Sequence, residues 1–234
     1  MHNLAIDPQI RARGFVSLGI DPPPRPLDPR RTAHLIVDLQ NGFMEEGAPY
    51  ELPVARTIVP AVNRVSRALR DAGGLNVFIR WAPFLAGAPY WSSLFDMLGE
   101  DARQVVIDSF TEGAHHHALW EGLDVEDDEP IVDKARFSAF IPGTCDLHEL
   151  LQARGIDTLI VTGCLTNGCC ESTARTGMEM GYRVLFVADG TAAVTDQEHN
   201  ATLTMFAGSN VAEVVMADDV VARIEAAAEA TAEA

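Results

Sequence analysis

Positive charge is scarce in this chain. Its 234 residues carry 17 Lys and Arg against 34 Asp and Glu, a formal charge of -17. A surface of that sign repels phosphate backbones and anionic headgroups, so nucleic acid and membrane surfaces are not expected partners. Cysteine is equally sparse: Cys145, Cys164, Cys169 and Cys170 sit in one third of the chain. That crowding does not resemble a disulfide framework. Met1–Asp7 lacks a basic start followed by an apolar core, so no secretory signal is expected. No apolar run approaches the ~20 residues that span a bilayer, which leaves a reducing cytoplasm as the expected compartment. Internal repeats and interior linkers are missing as well. With 47% hydrophobic and 22% charged residues, the composition is that of one ordinary globular core.

What the chain does have is alternation. Residues 1–31 read as a Pro-rich arm, because Asp21-Pro22-Pro23-Pro24-Arg25-Pro26 favours extended geometry that packs on a surface or a neighbouring subunit. Apolar runs at 33–38, 75–80, 130–134, 157–162, 182–187 and 211–216 read as strands. Helical spacing at 55–72, 145–154, 169–180 and 196–207, and beyond 216, fills the gaps between them. Residues 82–128 are ambiguous, with a short helix near 92–98 and a possible strand at 104–108. Strands alternating with helices predict a single-domain, three-layer α/β/α fold around a parallel sheet, spanning 32–228 and followed by a frayed tail at 229–234.

In open parallel sheets, sites lie outside the carboxyl ends of the strands. Asp38, Lys134 and Cys169 all occupy such ends. Cys169 falls in the turn between strand 157–162 and the next helix, where N–H groups and the helix dipole are expected to lower the thiol pKa. No histidine stands at a comparable strand end, so Asp38 is the candidate proton acceptor and Lys134 the charge partner. Backbone N–H groups of the Leu165–Cys169 turn are candidates for holding an oxyanion.

The segments Asp38-Leu39-Gln40-Asn41-Gly42-Phe43, Lys134-Ala135-Arg136-Phe137-Ser138-Ala139-Phe140 and Thr166-Asn167-Gly168-Cys169-Cys170 resemble the isochorismatase-like cysteine hydrolases. The likeness covers roughly residues 30–218. It implies a six-stranded parallel sheet, an Asp38-Lys134-Cys169 triad and a non-proline cis peptide at Cys164–Leu165. In that arrangement the Leu165 and Cys169 amides face the oxyanion. Phe43, Trp81, Phe137, Thr166 and Asn167 are the candidate substrate-binding residues, Phe43 first because it follows Asp38 in the family motif. Nicotinamidase-type members carry an Asp-x-His and a further His for a metal. The loop Met44–Glu51 has no histidine, so neither metal nor organic cofactor is expected. Members that cleave a vinyl ether usually lack the cysteine that is present here. The resemblance therefore points to a homo-oligomeric amidohydrolase, dimer or tetramer, that cleaves a small amide or N-carbamoyl (ureido) C–N bond through an acyl-enzyme. A vinyl-ether hydrolase and a non-catalytic binding module are the alternatives.

Plainer readings apply elsewhere. Cys145 and Cys164 read as inert small hydrophobes, and Cys170 as the one rival to Cys169. His115-His116-His117 reads as a solvated or pocket-rim cluster, since consecutive helical residues diverge. His199 reads as packed. Trp91 and Phe110, like Phe43, Trp81 and Phe137, fit either core or pocket.

Overall fold

The computed structural model describes residues 1–6 and 26–232. Six parallel strands form one sheet: β1 (Thr32–Val37), β2 (Leu75–Trp81), β3 (Ile131–Lys134), β4 (Thr158–Cys164), β5 (Arg183–Ala192) and β6 (Glu213–Val215). Their spatial order is β3-β2-β1-β4-β5-β6. The chain thus builds outward from β1 on one side, then returns to β1's other edge with β4. Between them lie α1 (Asn41–Met44), α2 (Val59–Asp71), α3 (Ser92–Phe95) and α4 (Glu100–Phe110). The second half adds α5 (Leu147–Ala153), α6 (Glu171–Glu179), α7 (Asp196–Ser209) and α8 (Ala217–Ala232).

Alternating side chains on the strands divide the core between the two faces. Leu35, Val37, Leu159 and Val161 pack with Leu147 and Leu151 of α5, Ala174 of α6 and Phe206 of α7. The opposite face sets Ile160 and Leu185 against Val65 and Leu69 of α2 and Ile224 of α8. Ile36 and Phe78 share that second face with Phe95 and Phe110 of α3 and α4. Both faces of the sheet are covered, which accounts for the nearly continuous apolar strands. One polar exception is His34 on β1, whose ring nitrogens meet Thr162 Oγ1 at 2.8 Å and Ser66 Oγ at 3.2 Å. Burial lowers its pKa to about 3, so the ring stays neutral.

The ambiguous stretch needs correction. Residues 104–108 are not a strand; they lie inside α4, where Val106 and Phe110 are buried one helical turn apart and Glu100 and Asp101 occupy the favourable first turn. The helix near 92–98 is only the single turn Ser92–Phe95. The segment 55–72 begins as a 3-10 turn at Pro53–Thr57, and Pro60 stands in the first turn of α2, where a missing N–H is harmless. Helix α8 extends to Ala232, beyond residue 228. Most of the Pro-rich arm lies outside the described residues, but residues 1–6 run along α7. There His2 Nδ1 meets Asp196 Oδ1 at 2.6 Å, and the Ala5 N–H donates to Asn200 Oδ1. Among the described residues, no helix is long and apolar enough to cross a membrane.

Gly163 near the end of β4 brings the two central strands together. It pairs with Val37 and has φ +115°, and a Cβ there would overlap the Val37 carbonyl. Gly163→Ala is expected to lower unfolding free energy by about 3 kcal/mol or more. A urea-melt difference below ~1 kcal/mol would show that the strands have slack there.

Candidate active site

Asp38 follows β1 in a left-handed conformation, φ 54°, that few non-glycine residues adopt. Its N–H donates to Ile79 O of β2 at 2.9 Å, and its carbonyl accepts from Cys164 Sγ at 3.3 Å. These bonds hold the backbone where continuation of the strand would carry it away. Lys134 ends β3, two strands from β1, which is roughly 10 Å at ordinary strand spacing. Only a long side chain spans that gap. Neighbouring Asp133 points to the other face, where Arg80 and His117 bond it.

The nucleophile candidate stands on the π-helical turn Thr166–Cys170 that follows β4, closed by Cys170 N–H to Leu165 O at 3.1 Å. The preceding Cys164–Leu165 peptide is cis. Single π-turns recur at functional sites because they re-aim side chains. Here the turn separates two adjacent thiols. Cys169 faces Lys134, whereas Cys170 is fully buried with its Sγ directed at Thr162 O.

Lys134 joins the three ends. Its Nζ donates to Asp38 Oδ2 at 2.8 Å, Arg136 O at 3.0 Å and Cys169 Sγ at 3.2 Å. Every ammonium proton therefore has an acceptor, although the side chain is fully buried. Burial alone would push the Lys134 pKa down, but the Asp38 and Cys169 charges outweigh it and raise the pKa. Asp38 is raised by burial, with Lys134 pulling the other way. Among the described residues its buried Oδ1 meets no donor in hydrogen-bond geometry, with the Cys169 thiol as its nearby candidate.

The expected low thiol pKa is not what this geometry gives. Burial, then the Asp38 charge, push Cys169 well above the ordinary range, and Lys134 only partly compensates. Location at a helix start favours a thiolate, but exclusion of water and a neighbouring carboxylate act against it more strongly. The thiol form of Cys169 is therefore favoured beside the Lys134 ammonium and the Asp38 carboxyl group. Cys164 and Cys170 are likewise raised by burial, and Cys145 is pushed up to about 11.

The expected binding residues separate into distinct environments. Phe43 and Trp81 pack with Phe110 in one aromatic cluster, and the buried Trp81 indole nitrogen has no hydrogen-bond partner among the described residues. Phe137 is exposed and sits edge-on to Trp91, whose ring also carries the Arg136 guanidinium. Asn167 is exposed. Thr166 is buried, with its hydroxyl at 2.8 Å from His199 Nδ1. The His199 ring in turn stacks on His2 at 4.3 Å. His199 is thus packed, and its bond to Thr166 supports the turn that carries Cys169.

Gln40 was not singled out in the sequence. It is buried, exchanges hydrogen bonds with the Trp81 backbone and donates to His117 O, tying the Asp38 loop to β2. One sequence signal was available for Lys134: it is the only lysine among the 234 residues. The three histidines also part company. His117 is buried on Asp133, while His115 and His116 both turn toward Glu45, so consecutive residues do converge on one group.

A parallel sheet covered on both faces, with polar groups gathered where the strand order reverses, defines an α/β fold with its site at the topological switch point. The isochorismatase domain model matches residues 32–219, and the chain belongs to the isochorismatase family of hydrolases. It is 34% identical over 178 residues to a protein of Arabidopsis thaliana described as a probable inactive nicotinamidase, covering 74% of this chain and 87% of that one. A ureidoacrylate amidohydrolase of Methylorubrum extorquens is 30% identical over 198 residues, 79% of each chain. The crystal structure of a cysteine hydrolase from Pseudomonas syringae pv. phaseolicola superposes with a TM-score of 0.77 at 28% identity, covering 89% of this chain and all of that one.

The charge balance gives a directional test. Removing the Asp38 charge leaves Lys134 alone beside the sulfur, so Asp38→Asn is expected to shift the pH midpoint of Cys169 alkylation downward. Mass-resolved iodoacetamide rates between pH 6 and 10 would measure it; an unchanged or higher midpoint would contradict the assignment.

Proposed function

We propose that this hydrolase is an amidohydrolase that cleaves a small amide or N-carbamoyl C–N bond through a covalent Cys169 intermediate. The observation that carries the reading is the Lys134 ammonium within hydrogen-bond reach of both Asp38 and Cys169 in a buried site. The ureidoacrylate amidohydrolase relatives support the ureido and linear-amide class. Cys169 attacks the carbonyl carbon as its S–H proton passes to Asp38, whose Oδ1 has no other partner. Negative charge then moves from the carboxylate to the substrate oxygen. The Leu165 and Cys169 N–H groups, which flank the turn beside the sulfur, are the candidate donor pair for that oxyanion.

Collapse of the tetrahedral adduct breaks the C–N bond, and Asp38 hands its proton to the departing ammonia or amine. A water molecule, deprotonated by Asp38, then attacks the thioester, and the sulfur leaves as Asp38 returns the proton to it. Lys134 stays charged throughout. Each proton step has a group on this chain, and the reading routes none through a metal or organic cofactor.

Ammonia release across small amides, ureas and N-carbamoyl amino acids tests the reading. Cys169→Ala is expected to lose on the order of 10⁴-fold or more in turnover with the fold retained, whereas Cys170→Ala keeps most of it. Intact-protein mass spectrometry of rapidly quenched turnover should show an acyl adduct on Cys169. Retained activity in Cys169→Ala would favour acid catalysis of a vinyl ether; no turnover of any amide or ureide would favour a binding role.

A further inference from the structure

Away from the Asp38–Lys134–Cys169 set, Glu45, His115 and His116 present one carboxylate and two imidazole donors to a common point. Their ligand atoms all lie within 4.8 Å of one another. His115 Nε2 is 3.1 and 2.9 Å from the two Glu45 oxygens, and His116 Nε2 is 3.7 Å from Oε2. Around a tetrahedral ion with bonds of about 2.1 Å, ligand atoms stand about 3.4 Å apart. The present spacing brackets that value, so small rotations of three side chains would complete three corners of a site.

We propose that Glu45, His115 and His116 bind a divalent transition-metal ion of the zinc, cobalt or nickel type. The ion clasps the end of α1 to the His115–His117 turn. Two imidazoles and one carboxylate suit these borderline ions and not calcium or magnesium, which call for more oxygen ligands. The backbone under the donors is already set. Asn41 donates from its side chain to His115 O and from its N–H to Ala118 O, and the Glu45 N–H closes α1 on Asn41 O. Gly42 allows the close approach, since a Cβ there would meet the Phe110 ring and stand 3.2 Å from His116 Cβ. The side chains remain partly open, 39% exposed at Glu45 and 29% at His116, so an ion can enter and water can fill the fourth position.

The site is separate from the proposed reaction: among the described residues, none of its donors shares a hydrogen bond or ion pair with Asp38, Lys134 or Cys169. Its effect is mechanical. Gln40 and Asn41 already join the loop after Asp38 to the same turn, and a bound ion adds a third tie.

The test is calorimetric titration of the untagged, chelator-treated full chain with ZnCl₂, repeated with Glu45→Gln, His115→Ala, His116→Ala and Cys169→Ser. The expected result is one equivalent of zinc bound and a raised Tm. Each of the first three substitutions should weaken binding about tenfold or more, and Cys169→Ser should leave it intact. All three ligands are at least partly exposed, and unliganded Tm values confirm that each variant folds. Visible cobalt bands without a thiolate charge-transfer band would support the same ligand set. Absence of binding at 100-fold excess zinc would reduce the cluster to a His–Glu ion pair and overturn the proposal. So would binding that survives the histidine substitutions or disappears with Cys169→Ser.

Discussion

The buried ammonium of Lys134 is the constraint on which the site depends. A lone cation inside a sheet protein costs several kcal/mol, and it is tolerated only with counter-charge and filled donors. Lys134 has both: Asp38 supplies the charge, and Arg136 O and Cys169 Sγ fill the other two donor positions. Reciprocally, Asp38 could not remain ionised at full burial without that ammonium. The pair therefore binds the end of β3 to the end of β1 across β2, and the sulfur is positioned by the same atom. Removing any one member leaves an uncompensated group, so the three are coupled and cannot be assigned independent contributions.

Topology makes this coupling possible. Because β4 returns to the free edge of β1, the nucleophile turn and the Asp38 loop emerge side by side, without intervening strands. Gly163 permits the approach, and Cys164 seals it with a bond to the Asp38 carbonyl. Asp38's left-handed backbone is then over-determined by its N–H to Ile79 and its carbonyl to Cys164. The Thr166 hydroxyl, bonded to His199, ties the π-helical segment to α7.

Much of this was legible in the residues. The central strands β1, β2, β4 and β5 are nearly continuous buried apolar runs, so the ends before Asp38 and Cys169 could be read directly, while the short, partly exposed edge strands β3, which carries Lys134, and β6 were legible from the alternation of strands and helices. Residues 82–128 could not, because their helices are short and pack through isolated aromatics such as Phe95 and Phe110, without a sustained period. Site details that depend on three-dimensional surroundings were equally hidden. A helix start suggested a lowered thiol pKa, but only the folded chain shows that water is excluded and a carboxylate adjoins. The bond between the Thr166 hydroxyl and His199 likewise exists only in the folded chain. Consecutive side chains diverge on an α-helix, but on the short 3-10 turn opposite Glu45 those of His115 and His116 converge.

The protonation state that burial enforces also bears on the chemistry. With Lys134 charged, the site accommodates one negative charge and resists a second, since both Asp38 and Cys169 are shifted toward their neutral forms. The proposed reaction respects that limit. Charge starts on Asp38, passes to the substrate oxygen as the proton moves the other way, and returns to Asp38 when the amine departs. Counted with the substrate, the buried site keeps the same net charge throughout, so the barrier includes no step in which an unpaired ion must be created away from water. A pre-formed thiolate beside ionised Asp38 would violate this balance. In the proposed reaction, deprotonation of Cys169 is therefore coupled to the arrival of a carbonyl that can take the charge, and a substrate whose reacting carbon belongs to a neutral amide or ureide meets that requirement.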